Sequence, residues 1–262
     1  ATRIRQMITH DDITQLPKIR FSGFSDIREM PGAELIEALG DSYHHVGLDD
    51  TIVVTRSNKR ANIFNQGIRN MVLDREEELE SGDMLMIVKN NYYWMEEERK
   101  KIKERQLSEE RKVKSGKFNT LANHTVQSNE VSSHEIPAFL ANGDRAKVMK
   151  VSRRIELYGF HFATLLLKFP DYDNYELEAT VLLDTLTSEA PALTHDQQEQ
   201  LFRKIEEDYQ GIPLKADRMK AIRQDPYFNA LQVKFAYAVT CHKAQGGQWS
   251  HVYVDQGYMT DE

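Results

Sequence analysis

A run of polar side chains near the end of the chain contains the groups best suited to bind a ligand. They are a hydroxyl, an imidazole, an ammonium and two amides: Thr240, His242, Lys243, Gln245 and Gln248. The run follows an apolar stretch, residues 235–239, whose aromatic and β-branched side chains predict a buried strand. Open α/β sheets bind ligands at the carboxyl ends of their strands, so the turn is expected to form a binding site.

Two consecutive glycines, Gly246 and Gly247, lie inside this run. Glycine permits positive φ and close backbone approach, which is useful where main-chain N–H groups must reach a phosphate. A second strand is predicted after them, at His251–Asp255. An ordinary strand–turn–helix with a polar mouth would have the same composition, and that alternative stays open.

Composition limits the possible classes of protein. The 262 residues, 40% hydrophobic and 29% charged, are enough for two soluble globular domains. No apolar run approaches the roughly 20 residues of a membrane span, so no membrane partner is expected. The net charge of −7 argues against a protein that coats DNA by charge alone, although a local basic groove remains compatible with it.

Cysteine and histidine usage bears on metal sites and location. The single cysteine, Cys241, excludes an intrachain disulfide or a multi-cysteine zinc site and favours a reducing cytoplasm. His44 and His45 would supply half of a metal site, but no third ligand follows at a useful spacing. We therefore predict no metal site in this chain.

Several elements are predicted from local pattern. Residues 21–30 suggest a strand, Pro31 the start of a helix, and 51–56 a strand followed by a helix from Lys59 to about Met71. Alternating charges over 96–117 indicate a solvated helix, with a DNA-contacting arm as the alternative. Strand-like runs at 146–151, 158–169 and 176–183 follow an Asn-Gly turn and predict a small β-barrel. Thr194 and Gln197 then predict a capping box.

Three stretches resemble one family. T-x-H-K-x-Q-G-x-x-W at 240–249 resembles motif V of superfamily I helicases, in their RecD-like and phage Dda-like branch. VVTRSNKRANIFNQGIR at 53–69 is similar to the start of the second motor domain in that branch, where Asn58, Asn65 and Arg69 match. GDMLMIVKNNYYW at 82–94 resembles its G-D-x-V-M-x-x-x-N-[DN]-Y element.

This resemblance implies roles for individual residues. Thr240 and His242 would contact the backbone and a base of single-stranded DNA, with Lys243 beside them. The other implied DNA-facing residues are Thr55, Arg56, Asn58, Asn90, Asn91 and Tyr92. Gly246 and Gln248 would face a nucleotide held by a neighbouring domain. Many relatives carry Glu at the Gln248 position, and the Gln amide could accept the same ribose hydrogen bond. Trp94 is interpreted as packing at a hinge. An N-cap role for Asn58 and a helix-dipole role for Arg69 stay open as alternatives.

The resemblance also implies an architecture. The fold class is α/β, a RecA-like (P-loop NTPase-type) second motor domain with an inserted SH3-like β-barrel. The expected divisions are 1–95 for the first part of the motor domain, 96–135 for a charged insertion, 136–228 for the barrel plus a helix, and 229–262 for the return segment with motif V. In relatives the barrel helps to hold or steer single-stranded DNA.

The sequence lacks the P-loop that such a motor needs. There is no G-x-x-x-x-G-K-[ST] string, and Gly116-Lys117 is followed by Phe118. The absence of an initiator Met, and an end at Glu262 before the expected arginine finger, suggest a piece of a larger helicase. ATP and Mg²⁺ are expected in the intact protein only, and this piece alone is expected not to hydrolyse ATP.

The expected partners are single-stranded DNA, the missing first motor domain and a possible nuclease or repair protein. Two other classes stay open. A stand-alone single-strand-binding or scaffold module would carry the same DNA-facing residues without a motor. A nuclease subunit is the weaker alternative, because the sequence shows no clustered carboxylates at metal-binding spacing.

Overall fold

The computed structural model describes residues 23–114 and 137–257. A predicted helix running from Asp11 or Asp12 towards Leu16, and a predicted polar loop at 119–135, lie outside these residues. The described strands are β1 Thr51–Thr55, β2 Met84–Ile87, β3 Arg145–Leu157, β4 Phe160–Phe169, β5 Tyr175–Leu182, β6 Leu231–Phe235, β7 Ala238–Thr240 and β8 His251–Val254. The α-helices are α1 Leu35–His45, α2 Asn58–Gly67, α3 Tyr93–Lys114, α4 His195–Asp208, α5 Lys215–Arg223 and α6 Cys241–Ala244.

A three-stranded parallel sheet, in the order β7-β1-β8, carries the predicted binding turn. Ile52 and Val53 at its centre are almost fully buried, as the β-branched run at 51–54 predicts. Helices α1 and α2 pack against this sheet. A bidentate ion pair between Arg60 of α2 and Asp255, with donor–acceptor distances of 2.9 and 2.8 Å, joins the helix to the end of β8.

The other strands form a closed barrel, in the order β2-β3-β4-β5-β6. All neighbouring pairs are antiparallel except β5 and β6, which run parallel. The interior is filled by apolar side chains such as Val148, Leu165, Leu167 and Val233, each with no exposed surface. The predicted small barrel is therefore present, and its strands β3 to β5 cover the three runs expected from the sequence.

The boundary between the sheet and the barrel differs from the expected one in two places. Residues 235–239, expected as one strand, are split: β6 ends at Phe235 in the barrel and β7 begins at Ala238 in the parallel sheet. The expected division at residue 95 assigns Met84–Ile87 to the motor domain, whereas β2 pairs with β3 and β6 inside the barrel. Both segments are apolar throughout, and such runs fit either sheet equally well.

The helices mostly follow the predicted pattern. The helix after Pro31 begins with a 3₁₀ turn at Gly32–Glu34, and the capping box of Thr194 and Gln197 is present at the start of α4. The strand predicted over 21–30 is absent from its described part, which forms a turn and bends. In α3, ion pairs at i, i+3 spacing join Lys100 to Glu97 and Lys101 to Glu98.

Candidate functional site

The parallel pairing of β1 and β7 brings two predicted binding segments together. Thr55, the last residue of β1, lies opposite Thr240, the last residue of β7. The residues that follow each strand therefore meet at the same edge of the sheet. They line a cleft of about 520 Å³, here called the sheet cleft. Its lining residues are Arg56, Ser57, Asn58, Lys59, Glu189, Pro191, Thr240, His242 and Lys243.

The sheet cleft combines cations with neutral hydrogen-bonding groups. Lys59 lies 3.9 Å from Glu189, and both side chains are mostly exposed, so this ion pair is weak. Burial lowers the pKa of Lys243, whose ammonium donates to Oδ1 of Asn142. Arg56 is exposed beside the same cleft. The cleft therefore presents more positive than negative charge, within a chain whose net charge is negative.

Asn58 is positioned by the start of helix α2. The N-cap is Ser57, whose hydroxyl accepts a hydrogen bond from the backbone N–H of Arg60 at 3.2 Å. The alternative in which Asn58 serves only as the N-cap is thus wrong. The partly exposed Asn58 amide makes no hydrogen bond to another residue in the described part of the chain. It is available to bind a ligand in the sheet cleft.

His242 lies in the first turn of the short helix α6 and is exposed. Its Nδ1 atom lies 3.8 Å from Sγ of Cys241, a loose contact that leaves the rest of the imidazole edge accessible. Thr240 is half-buried at the mouth of the cleft. An imidazole edge and a hydroxyl placed next to cations can contact both a base and a phosphodiester.

A second cleft of about 740 Å³ lies between the binding turn and the barrel, and is here called the barrel cleft. The predicted nucleotide-facing residues Gly246 and Gln248 line it, together with His242 and Lys243. These last two residues therefore lie on the wall that separates the two clefts. Gly246 has φ of +90°, so the predicted need for a glycine at the turn is confirmed.

Gly247 is required for a different reason, which is packing against Trp249. A Cβ atom at this position would lie 2.0 Å from the Cη2 atom of the Trp249 indole. The ring is also covered on one side by Arg145, whose Cζ lies 5.6 Å from the ring centroid. Arg145 in turn donates to the Asp49 carbonyl at 2.8 Å and lies 3.7 Å from an Asp171 carboxylate oxygen. The binding turn is thus packed against the barrel by its tryptophan.

The residues of the barrel cleft permit a limited contact to a nucleotide. Gly246 and Gly247 expose main chain, and Gln248 offers an exposed amide. The described part of the cleft has no glycine-rich loop at the start of a long helix, which is the usual phosphate cradle. Gly246 and Gln248 are the predicted nucleotide-facing residues, and both are exposed at this cleft.

Two of the predicted DNA-facing residues have structural roles. Thr55 is 1% exposed, and its hydroxyl donates to the carbonyls of Ser57 and Val239 at 3.1 and 3.3 Å. The Asn91 amide donates to the Asn229 carbonyl at 2.9 Å and accepts from the Trp94 backbone N–H at 3.3 Å. The expectation that Thr55 and Asn91 contact DNA is corrected, because neighbouring main chain already occupies both side chains.

Asn90 and Tyr92 remain at the surface. Oδ1 of Asn90 accepts from the backbone N–H of Asn142 at 2.7 Å, and Asn142 binds Lys243. Tyr92 is 55% exposed and stacks on Phe139 with 4.8 Å between ring centroids. Asn90 therefore supports Lys243 indirectly, whereas Tyr92 keeps an exposed aromatic surface. Trp94 is buried and donates to the Asn229 carbonyl, so its predicted packing role is confirmed.

Asn65 and Arg69 are the other matching residues of the 53–69 stretch. Both are buried and bind groups of neighbouring segments. Oδ1 of Asn65 accepts from the Ala238 N–H at 2.7 Å, and its amide donates to the carbonyls of Ala238 and Phe235 at 3.0 and 3.3 Å. Arg69 is 2% exposed and forms a buried ion pair with Asp83. The helix-dipole alternative for Arg69 is therefore wrong.

We expect Asn65→Ala to lower the free energy of unfolding by about 2–4 kcal/mol. The substitution leaves the buried Ala238 N–H and two carbonyls without their partner at the point where β6 passes into β7. Chemical denaturation monitored by circular dichroism measures the change. Asn62→Ala is the matched control, because Asn62 lies in the same helix and donates to Thr187 and Ser188 nearer the surface. Equal losses in the two variants would contradict the role of Asn65.

Sequence reasoning missed the third wall of the sheet cleft. Glu189 and Pro191 belong to the segment between β5 and α4, far from both motifs in sequence. Thr185 anchors this segment, since its buried hydroxyl donates to the carbonyls of Leu182 and Val233. No local signal in the segment indicates this placement. Lys59, in contrast, directly follows Asn58 and could have been included on that ground.

Within residues 23–114 and 137–257, no group of three or more His, Cys, Asp or Glu side chains is placed to hold a metal ion. His45 instead places Nδ1 2.8 Å from the Asp41 carbonyl oxygen. None of the described helices combines the length and apolar character needed to cross a bilayer.

Comparison with known proteins gives one family match. Residues 235–262 match the family model of the UvrD-like helicase C-terminal domain. This range contains the binding turn and the strands on both sides of it, and it supports a superfamily I helicase C-terminal region. A search of curated proteins found no match.

Proposed function

We propose that this chain is the nucleic-acid-binding part of an ATP-dependent DNA helicase of the RecD-like branch, with a RecA-like second motor domain and an SH3-like barrel. The observation that carries the proposal is the meeting of two motif segments at one sheet edge. Arg56 and Asn58 follow β1, and Thr240, His242 and Lys243 follow β7. The family match over residues 235–262 supports the helicase class.

In this proposal single-stranded DNA lies in the sheet cleft. Lys243 and Arg56 neutralise backbone phosphates, and Thr240 and Asn58 donate or accept hydrogen bonds along the strand. The His242 imidazole contacts a base, and the exposed Tyr92 ring offers a stacking surface further along the molecule. Neutral and aromatic contacts of this kind tolerate any base, as a translocating protein requires.

The barrel cleft is assigned to the edge of the nucleotide. Gly246 and Gln248 would contact ATP that a first motor domain binds together with Mg²⁺. His242 and Lys243 line both clefts, so a change in one cleft can move groups in the other. This shared wall is a physical route by which nucleotide binding could alter the grip on DNA. We also propose that the protein acts in the cytoplasm. A repair protein or a nuclease is proposed as its partner.

The proposal predicts DNA binding without ATP turnover by this chain. Fluorescence anisotropy with labelled oligothymidylate should show salt-dependent binding, and Thr240→Ala or His242→Ala should weaken it about 5–20-fold, the worth of one or two base or backbone contacts. A phosphate-release assay should show no hydrolysis with DNA present, because the sequence has no P-loop. Turnover by the purified chain, or affinity unchanged in both variants, would contradict the proposal.

The second candidate is a single-strand-binding module that never contacts ATP. It uses the same sheet cleft, so DNA binding cannot separate the two functions. The barrel cleft can separate them, because a motor requires Gln248 to respond to nucleotide. Addition of a first motor domain from a related helicase should restore ATP turnover only if this chain is a second motor domain. In that case Gln248→Ala should reduce the turnover.

A further inference from the structure

Lys234 is a half-buried lysine of the barrel that no motif singles out. It lies on the barrel strand β6, directly opposite Met86 of β2. Its ammonium donates to two main-chain carbonyls, Thr185 O at 3.2 Å and Ser188 O. Both acceptors are neutral, so they solvate the charge without balancing it.

The surroundings of Lys234 supply no negative charge to balance it. Strand β2 beside it carries only uncharged residues. On the segment after β5, Asp184 binds His161, and Glu189 lies beside Lys59. In the described part of the chain, no carboxylate lies within 4 Å of the Lys234 ammonium.

The charged group that acts on Lys234 is another cation. Burial and, secondly, the charge of Lys243 lower the pKa of Lys234 to about 8. Burial also lowers the pKa of Lys243 itself. Two partly desolvated ammonium groups held near each other are unfavourable unless an anion joins them.

Both lysines lie next to the proposed path of DNA. Lys243 lines the sheet cleft and the barrel cleft. The Lys234 ammonium is bound to the carbonyl of Ser188, the residue before Glu189, and Glu189 lines the sheet cleft. Met86, opposite Lys234, lines the barrel cleft, so Lys234 lies beside residues of both clefts although it lines neither.

We propose that Lys234 and Lys243 together bind one phosphate group of a bound polynucleotide, Lys243 from the cleft wall and Lys234 from strand β6. The inference rests on the proposed function and names a residue of the same site. A phosphodiester supplies the missing negative charge and accepts hydrogen bonds from both ammonium groups. A nucleotide phosphate has the same chemistry, but the polynucleotide is favoured because the other exposed cations, Arg56 and Lys59, line the sheet cleft.

A pH dependence follows from this arrangement. Below about pH 8, Lys234 is protonated in the free protein, and the phosphate finds both charges present. Above that pH the free protein loses the Lys234 proton, and binding must first restore it. Affinity should therefore fall as pH rises through about 8, more steeply than in a variant without Lys234.

The test uses the whole chain and labelled oligothymidylate, titrated at several salt concentrations at about pH 7 and about pH 9. Lys234→Met should bind about tenfold more weakly at the lower pH, with a salt slope smaller by about 0.7. Lys234→Arg should keep its affinity at the higher pH, because arginine stays charged. Lys204→Met is the matched control, since Lys204 is an exposed helix residue paired with Glu207.

The outcomes separate the inference from the proposed function. If Lys234→Met binds like the wild type with the same salt slope while His242→Ala loses binding, Lys234 only anchors the Ser188 segment and the inference falls alone. If the wild type binds no oligonucleotide, both fall. If Lys234→Met weakens binding of ATP or tripolyphosphate but not of DNA, the polynucleotide assignment is overturned. Should Lys234→Met fail to fold, the pH profile of Lys234→Arg decides.

Discussion

Replacement of Asp83 by alanine is expected to lower the free energy of unfolding by about 3–5 kcal/mol, the usual cost of leaving a buried charge without its partner. Asp83 is fully buried and receives five hydrogen bonds. Their donors are Arg69, which contributes two, and Arg75, the Glu80 N–H and Tyr237. Without Asp83, the Arg69 guanidinium stays buried above the Phe235 ring, and its nearest remaining carboxylate is that of Glu80 at 4.0 Å.

Urea denaturation of the wild type and of Asp83→Ala measures this effect. Glu178→Ala is the matched control, because Glu178 is an exposed carboxylate on barrel strand β5 and should change stability by less than about 0.5 kcal/mol. Tyr237→Phe removes one donor and keeps the ion pairs, so it should cost about 1–2 kcal/mol. A loss below about 1 kcal/mol for Asp83→Ala would show that the ion pair does not hold the two sheets together.

This network matters for function because Tyr237 lies three residues before Thr240. The Tyr237 hydroxyl donates to Asp83 and accepts from the Met84 N–H, which fixes the crossing from β6 to β7. A variant that loosens the network should therefore also displace the binding turn. Stability and the geometry of the site are linked through this one crossing.

The second large effect is expected from removing two cations of the sheet cleft. Arg56→Gln with Lys243→Gln should weaken oligothymidylate binding about a hundredfold at low salt and reduce the salt slope by about 1.4, which corresponds to two lost phosphate contacts. The measurement is a set of anisotropy titrations over a range of salt concentrations. Both residues line the same cleft, so their loss removes positive charge directly along the proposed path.

The control for this double variant changes the net charge by the same amount elsewhere. Arg203→Gln with Lys204→Gln removes two exposed cations from α4, where they pair with Glu199 and Glu207. This control should bind within about twofold of the wild type, since exposed ion pairs contribute little. If both double variants lose affinity equally, binding depends on overall charge, and the sheet cleft is not the site.

The binding turn was predictable because its signal is local. An apolar strand, a polar run with two glycines and a second strand follow one another in the sequence, and the structure has β7, α6, the turn and β8 in that order. The meeting of Arg56 and Lys243 follows from the parallel pairing of β1 and β7 in the structure, because the carboxyl ends of parallel strands lie at one edge. The local pattern did not show that these two strands are direct neighbours.

The errors have a common physical cause, which is that side-chain partners lie far away in sequence. The strand over 235–239 divides because Tyr237 binds Asp83 and Ala238 binds Asn65. Thr55 is a polar residue at a strand end, as a DNA-facing residue would be, yet its hydroxyl is taken by the Val239 carbonyl. In the sequence, Lys234 has the pattern of an ordinary outward-facing strand residue. Only the folded barrel shows that burial and a second lysine act on its charge.

The central claim is that single-stranded DNA binds in the sheet cleft. Mapping where a bound strand contacts the protein tests this claim most directly. Oligothymidylate carrying thiothymidine would be photo-crosslinked to the chain, and the modified peptides identified by mass spectrometry. Adducts should fall within residues 56–59 and 240–249, and His242→Ala should reduce them. Adducts confined to α3 or to the outer face of β3, with both of these segments unmodified, would contradict the account.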